Sequence, residues 1–313
     1  MEHISKGAQI KSAFIRPAEL YPNARSGFKS LMLRMDVSRT GGVLLPSYVG
    51  WSAKEGSGVF DPVKEIGTPY AFYNMTKKLH IDLDDLERKL ADLRPRMVLF
   101  IHYFGFPDPN VVRAAEISKA AGAFVVEDEA HALYSDLIGK ACGRLGEASF
   151  FSLHKMLPLD SGGVVLYNRS RWCRGKYART NLDSRSANLI IYDLAYISHI
   201  RIRNTSYLLE KLKSLSSYLI VLRSKIPAGV VPQSFPVLLK KAPRDEIYAA
   251  MNKEGYGVIS LYHTLIPEVR EDIFPSAHWI SKRILNLPVH QDVTRDGLDS
   301  LVSTLKSLLK KYN

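Results

Sequence analysis

Across residues 31–168 the chain alternates short runs of β-branched and aromatic residues with helical stretches, and this rhythm constrains its fold more than any other feature. Strands separated by helices are joined in parallel, and a parallel sheet needs cover on both faces. The pattern therefore predicts an α/β protein with a mostly parallel central sheet and flanking helices. VLLPS (43–47), AFYNM (71–75), AFVVED (123–128), ASFFSL (148–153) and GGVVLY (162–167) read as strands, and MVLFIHYF (97–104) as one buried on both faces. Between them, IDLDDLERKLADL (81–93) spaces its apolar residues at 81, 83, 86, 90 and 93 and puts acids in its first turn, as an amphipathic helix does. VVRAAEISKAAG (111–122) predicts the next helix, stopped by glycine.

After Asn168 the character changes. A polar and basic helical region (188–213) leads to a smaller C-terminal α+β unit, with strands expected at 234–239 and 284–289 and helices at 244–254 and 295–311. The division expected is a large domain over 1–200 and a small one over 201–313. At 46% apolar and 24% charged, the 313 residues suit two such units, and no apolar run reaches the roughly 18 residues of a membrane span. Only Cys142 and Cys173 are present, too few for a disulfide framework and without metal-ligand spacing, so a cytoplasmic setting is expected.

In open α/β sheets ligands bind where the strands end, so the residues just past each strand carry the chemistry. Glu127-Asp128-Glu129-Ala130-His131 closes one strand and Ser152-Leu153-His154-Lys155 another, while Asn23-Ala24-Arg25-Ser26-Gly27 opens the first apolar-periodic helix. A carboxylate, an imidazole, a lysine and a helix N-terminus suit a cofactor that has a cationic ring, a phenolic oxygen, an aldehyde and a phosphate. Pyridoxal phosphate has all four. Each signal alone has a plainer reading: a loop carboxylate, a structural histidine, a solvated lysine, or an Asn23/Ser26 helix cap.

The spacing of these residues resembles that of the DegT/DnrJ/StrS family of pyridoxal phosphate-dependent sugar aminotransferases, which have the aspartate aminotransferase (type I) fold. The likeness rests on VVEDEAHALYSDLIGKACGRLGEASFFSLHKMLPLDSGGVVLYN (125–168), on IHYFGFP (101–107) and on WISKRILNLPVHQDVT (279–294). It implies that Asp128 faces the pyridine nitrogen and that His131 contacts the phenolic oxygen. It further implies that Ser152 bonds the phosphate and that Lys155 is the lysine bound to the aldehyde. Arg25 and Ser26 fall where the family cradles the phosphate, and Trp51 where an aromatic ring covers the cofactor, with plain core packing as its alternative. Asn181 and Arg185 fall near a loop that serves the neighbouring subunit's site, which implies a homodimer. The chain departs from the family in three places: two residues are missing between Ser152 and Lys155, Asp160-Ser161 stands where most relatives have Gly-Glu, and Glu129 stands where they have alanine.

The activity implied is transfer of an amino group from an amino acid, with glutamate as precedent, to a keto-sugar, nucleotide-linked and bound for polysaccharide or glycan synthesis. A dehydratase or another transaminase on the same fold is the near alternative, with His154 as the active base in place of Lys155. A non-catalytic type I-fold protein that binds a polyanion is the distant one. Its motive is the charge: 43 Lys plus Arg against 31 Asp plus Glu gives +12, and residues 169–225, with twelve basic and three acidic side chains, carry +9 of it. The segment has no zinc spacing, no helix-turn-helix signature and no single-strand RNA pattern, so it reads as a wall for a diphosphate substrate, or as a solvated helix face, rather than as a nucleic-acid groove.

Overall fold

The structure, a computed structural model, describes residues 16–39, 41–157, 159–173 and 192–312. Seven strands form the main sheet: β1 (Ala18–Tyr21), β2 (Val43–Pro46), β3 (Tyr70–Tyr73), β4 (Met97–Ile101), β5 (Phe124–Asp128), β6 (Ala148–Ser152) and β7 (Gly163–Tyr167). Their order is β1-β7-β6-β5-β4-β2-β3. The pairs from β3 through β6 are parallel, and β7 is antiparallel to both β6 and β1. Helices α1 (Ala24–Arg34), α2 (Phe60–Ile66), α3 (Leu83–Leu93), α4 (Val111–Ala120) and the short α5 (Leu133–Leu137) accompany it. β4 is buried along its whole length, as a central parallel strand requires.

Local chemistry sets the element ends. The side chain of Asp82 accepts the N–H of Asp85 and caps α3, whose Leu86 and Leu90 are buried. The expected strand 97–104 stops at Ile101 because Phe104 (φ 60°) and Gly105 (φ 92°) are left-handed, which breaks the pleat and turns the chain into a 3-10 turn, Tyr103–Gly105. Asn23 caps α1 by accepting the N–H of Ser26 at 2.8 Å. Gly163 lets β7 pass under that helix start: a Cβ there would lie 2.2 Å from the Asn23 carbonyl carbon.

The long helix α6 (Leu194–Lys211) runs across residue 200 and leads to a three-stranded antiparallel sheet, β10-β9-β8, made of β8 (Leu219–Val221), β9 (Phe235–Leu239) and β10 (Ile284–Leu287). Helices α7 (Arg244–Lys253), α8 (Pro275–Ser281) and α9 (Arg295–Lys311) complete the chain. Leu208 of α6, Val237 of β9, Met251 of α7 and Leu305 of α9 belong to one apolar cluster, separate from the core of the main sheet. No helix among the described residues is long and apolar enough to cross a membrane.

Candidate active site

The turns that follow the parallel strands gather along one edge of the main sheet, and a cavity of about 470 Å³ opens there. Asp128 enters it from the end of β5, and His131 from the turn before α5. Ser152 comes from the end of β6, and His154 and Lys155 from the 3-10 turn Leu153–Lys155. Asn23 and Arg25 bring the start of α1, and the loop after β2 brings Trp51 and Glu55. Six side chains singled out in the sequence (Arg25, Trp51, Asp128, His131, Ser152 and Lys155) thus share one cavity.

Their surroundings fix what they can do. Asp128 is buried and receives the N–H of Ala130 at 2.8 Å. Burial raises its pKa, with only partial opposition from that bond, Lys155 and His102. Such a carboxylate gains most from a cation placed beside it. Lys155 is open to the cavity, yet the walls enclose it, and this desolvation lowers its pKa against the pull of Asp128 and Glu55. A larger share of neutral amine suits a nucleophile and a base. His131 is buried, and burial and then Lys155 push its pKa well down, so it is neutral. Its Nδ1 accepts the N–H of Phe104 at 3.4 Å, which leaves the proton on Nε2 and makes that nitrogen a donor. The helix start at Asn23 offers free N–H groups to an anion, and the Arg25 guanidinium stands beside them.

Trp51 is 43% exposed at the cavity wall, so core packing does not account for it. Ser26 corrects the expectation: it does not border the cavity, because its Oγ and its N–H are both held by Asn23 Oδ1, at 3.0 and 2.8 Å. Asn181 and Arg185 lie outside the described residues. The basic segment is corrected in part. Arg201 is buried and donates to the Gln233 carbonyl, Arg223 is buried and donates to the carbonyls of Lys78 and Leu79, and none of the segment's described residues lines the cavity.

Sequence reasoning missed Tyr262. Its ring lies 5.8 Å from that of His131 and 5.3 Å from that of Tyr48, and its backbone is left-handed (φ 59°), like that of Phe104. Two strained non-glycine residues packed against one cavity histidine are typical of a site that positions a ligand. A lone aromatic more than a hundred residues past Lys155 carries no spacing signal that reveals this.

Side chains alternate along a strand, so the two neighbours of Asp128 point away from the cavity. Glu127 accepts the N–H groups of Gly143, Leu145 and Gly146 at 2.8, 2.8 and 3.0 Å and meets His102 Nε2 at 2.9 Å. Burial works against its charge, but these contacts outweigh it and its pKa is lowered. Glu129 is fully buried without such donors, and burial, then Asp136 and Glu127, push its pKa well up.

Residues 24–174 match the model of the DegT/DnrJ/EryC1/StrS aminotransferase family. The chain is 24% identical over 253 residues to the dTDP-4-dehydro-2,3,6-trideoxy-D-glucose 4-aminotransferase of Saccharopolyspora spinosa, which covers 68% of this chain and 65% of that one. Its fold superposes on Helicobacter pylori PseC, an aminotransferase involved in the biosynthesis of pseudoaminic acid, with a TM-score of 0.78 and 16% identity, over 95% of this chain and 88% of that one. It also superposes on the GDP-4-keto-6-deoxy-D-mannose-3-dehydratase of E. coli with bound hydrated PLP, with a TM-score of 0.73 and 16% identity, over 92% of this chain and 87% of that one. The fold is the one that these proteins share.

Proposed function

We propose that this chain, whose residues 24–174 match the model of the DegT/DnrJ/EryC1/StrS aminotransferase family, is a pyridoxal phosphate-dependent aminotransferase that moves an amino group from an amino acid, glutamate by family precedent, to a nucleotide-linked keto-sugar. The observation that carries this is the meeting of buried Asp128 and of Lys155, whose pKa is lowered, in one cavity with neutral His131 and the start of α1. When bound, the cofactor supplies an aldehyde that captures amines and a cationic ring that draws electrons from the bonds being broken.

The residues present fit that group. Asp128, whose charge burial disfavours, holds a proton at the ring nitrogen and regains there the stabilisation it lacks. His131 Nε2, left as the donor by the Phe104 N–H on Nδ1, would donate to the phenolic oxygen. The first amides of α1, the Arg25 guanidinium and the Ser152 hydroxyl hold the phosphate. Trp51, at the cavity wall, would cover the ring and exclude water from it. Lys155 would hold the aldehyde, and its amine, when free, would move a proton to and from the substrate α-carbon, a role that its lowered pKa suits.

Sugar specificity, a cytoplasmic setting and a homodimer in which Asn181 and Arg185 reach the partner's site belong to the same reading, as does a role in polysaccharide or glycan synthesis. So does a domain boundary near residue 200, supported by the two sheets and by an apolar cluster whose buried residues all lie after residue 200. The nucleotide-sugar substrate is supported by the name of the Saccharopolyspora relative.

His154 borders the cavity next to Lys155, with Nδ1 3.3 Å from Ser152 Oγ, and this favours sugar dehydration as the second reading. Mixing the cofactor-loaded protein with L-glutamate separates the two. An aminotransferase releases one 2-oxoglutarate per loaded site before any sugar is added, and then forms an amino-sugar from a nucleotide-linked keto-sugar. Loss of water from the sugar with no keto acid from the donor would establish the dehydratase. Absence of both reactions would overturn the enzyme reading.

A further inference from the structure

On the face of β5 turned away from the cavity, His102, Glu129 and Cys142 are all buried, and each offers a ligand atom within 4.8 Å of the others. Neither oxygen of Glu129 has a hydrogen-bond partner among the described residues, and His102 Nδ1 has none either. Among the described residues the Glu129 carboxyl has the Cys142 thiol and the Asp136 carboxyl as polar neighbours, with no backbone or cationic donor, and a fully buried carboxyl so placed is costly unless a cation joins it. We propose that His102, Glu129 and Cys142 form a buried site for one divalent transition-metal ion with the chemistry of zinc.

Three observations carry this. The first is the donor set: an imidazole, a thiolate and a carboxylate are zinc's ordinary ligands, whereas calcium and magnesium take oxygen alone. Donors around zinc stand about 3.3–3.8 Å apart in a tetrahedral site, so small rotamer changes close the present triangle onto an ion.

The second is charge balance. Asp136 is paired with both Arg16 and Arg144, and Glu127 takes three backbone N–H groups and the His102 ring. Asp136 and Glu127 thus have partners of their own. The Glu129 carboxyl and the Cys142 thiol remain, and a dication that displaced their two protons would be neutralised by the two ligands.

The third is support around the ligands. Glu127 orients the His102 ring, as the carboxylate behind a metal-bound histidine commonly does. Gly143, left-handed at φ 80°, keeps the Cys142 loop against the carboxylates, since a Cβ there would lie 2.5 Å from Glu129 Oε1 and 2.3 Å from Asp136 Oδ2. The loop between α5 and β6 carries the thiol, so an ion bound here would pin that loop beneath the strand that presents Asp128.

Metal analysis of the cofactor-loaded protein, produced in zinc-supplemented medium and dialysed against metal-free buffer, tests the site. The expected result is about one zinc per chain, falling at least about tenfold in Cys142→Ser and in Glu129→Gln. Cobalt offered in place of zinc gives, in the wild-type protein, a thiolate charge-transfer band and strong visible absorption in the red, clear of the cofactor. This second readout stands even if a variant fails to fold. Wild-type protein with no zinc and no such cobalt spectrum overturns the proposal, and so does full zinc retention in both variants.

Discussion

Glu127, Asp128 and Glu129 are three consecutive buried carboxyl groups with three different surroundings, and the contrast shows how partners decide the use of a charge. On one face of β5, Asp128 looks into a cavity with Lys155 and His131 and with a single backbone donor on its own oxygens. On the other, Glu127 is bound by three amides and an imidazole. Desolvation acts on both. It wins at Asp128, whose pKa rises, and loses at Glu127, whose pKa falls. Asp128 on the cavity face is left unsatisfied for a ligand, and Glu127 on the opposite face is satisfied by the protein.

Mutations on the two faces should therefore fail differently. Lys155→Ala is expected to have the largest effect on chemistry: turnover falls by about 10,000-fold, the upper end of what a positioned acid–base group contributes, while the thermal midpoint of the cofactor-free protein is unchanged. Asp128→Asn is expected to lower kcat by roughly 100- to 1,000-fold, as removal of a preorganised charge does, and to leave the cofactor-free protein at least as stable as the wild type, because a buried uncompensated charge is removed. Glu127→Gln inverts the pattern. It strands amide donors and an imidazole at a cost of about 3 kcal/mol, a fall of roughly 6–12 °C in Tm, with the loss of turnover following only from instability. If Glu127→Gln instead left Tm intact and removed turnover, the contrast between the faces would be broken.

How far each face could be read beforehand differs too. The parallel strands were legible because each is a short apolar run between amphipathic helices, and α9 matches its expected 295–311 bounds for the same reason. β1 and β8, of four and three residues, were missed: short antiparallel edge strands carry little periodicity. That Asp128, His131, Ser152 and Lys155 share one cavity was legible through strand ends and spacing. Tyr262 was not, because its place depends on a left-handed turn that nothing in its neighbours announces. The sequence left Ser26 open between cap and ligand because a hydroxyl near a helix start serves either, and Asn23 holds it in the cap. The basic excess was misleading in the same way, since two of its arginines are spent on internal carbonyls.

The smallest effect sharpens the cavity side. Trp51→Ala is expected to weaken cofactor binding about fivefold, roughly the 1 kcal/mol of an aromatic stacking contact, with little change in Tm. Titration of the cofactor-free protein with pyridoxal phosphate measures it, and unchanged affinity would return Trp51 to the role of a bystander at the rim.

The central claim is that Lys155 holds the cofactor opposite Asp128, and covalent trapping tests it most directly. Reduction of the cofactor-loaded protein with borohydride, followed by peptide mapping, should fix one pyridoxyl group on the peptide that contains Lys155, with none fixed in Lys155→Ala. A label on any other lysine, or a loaded protein that traps none, would contradict the account.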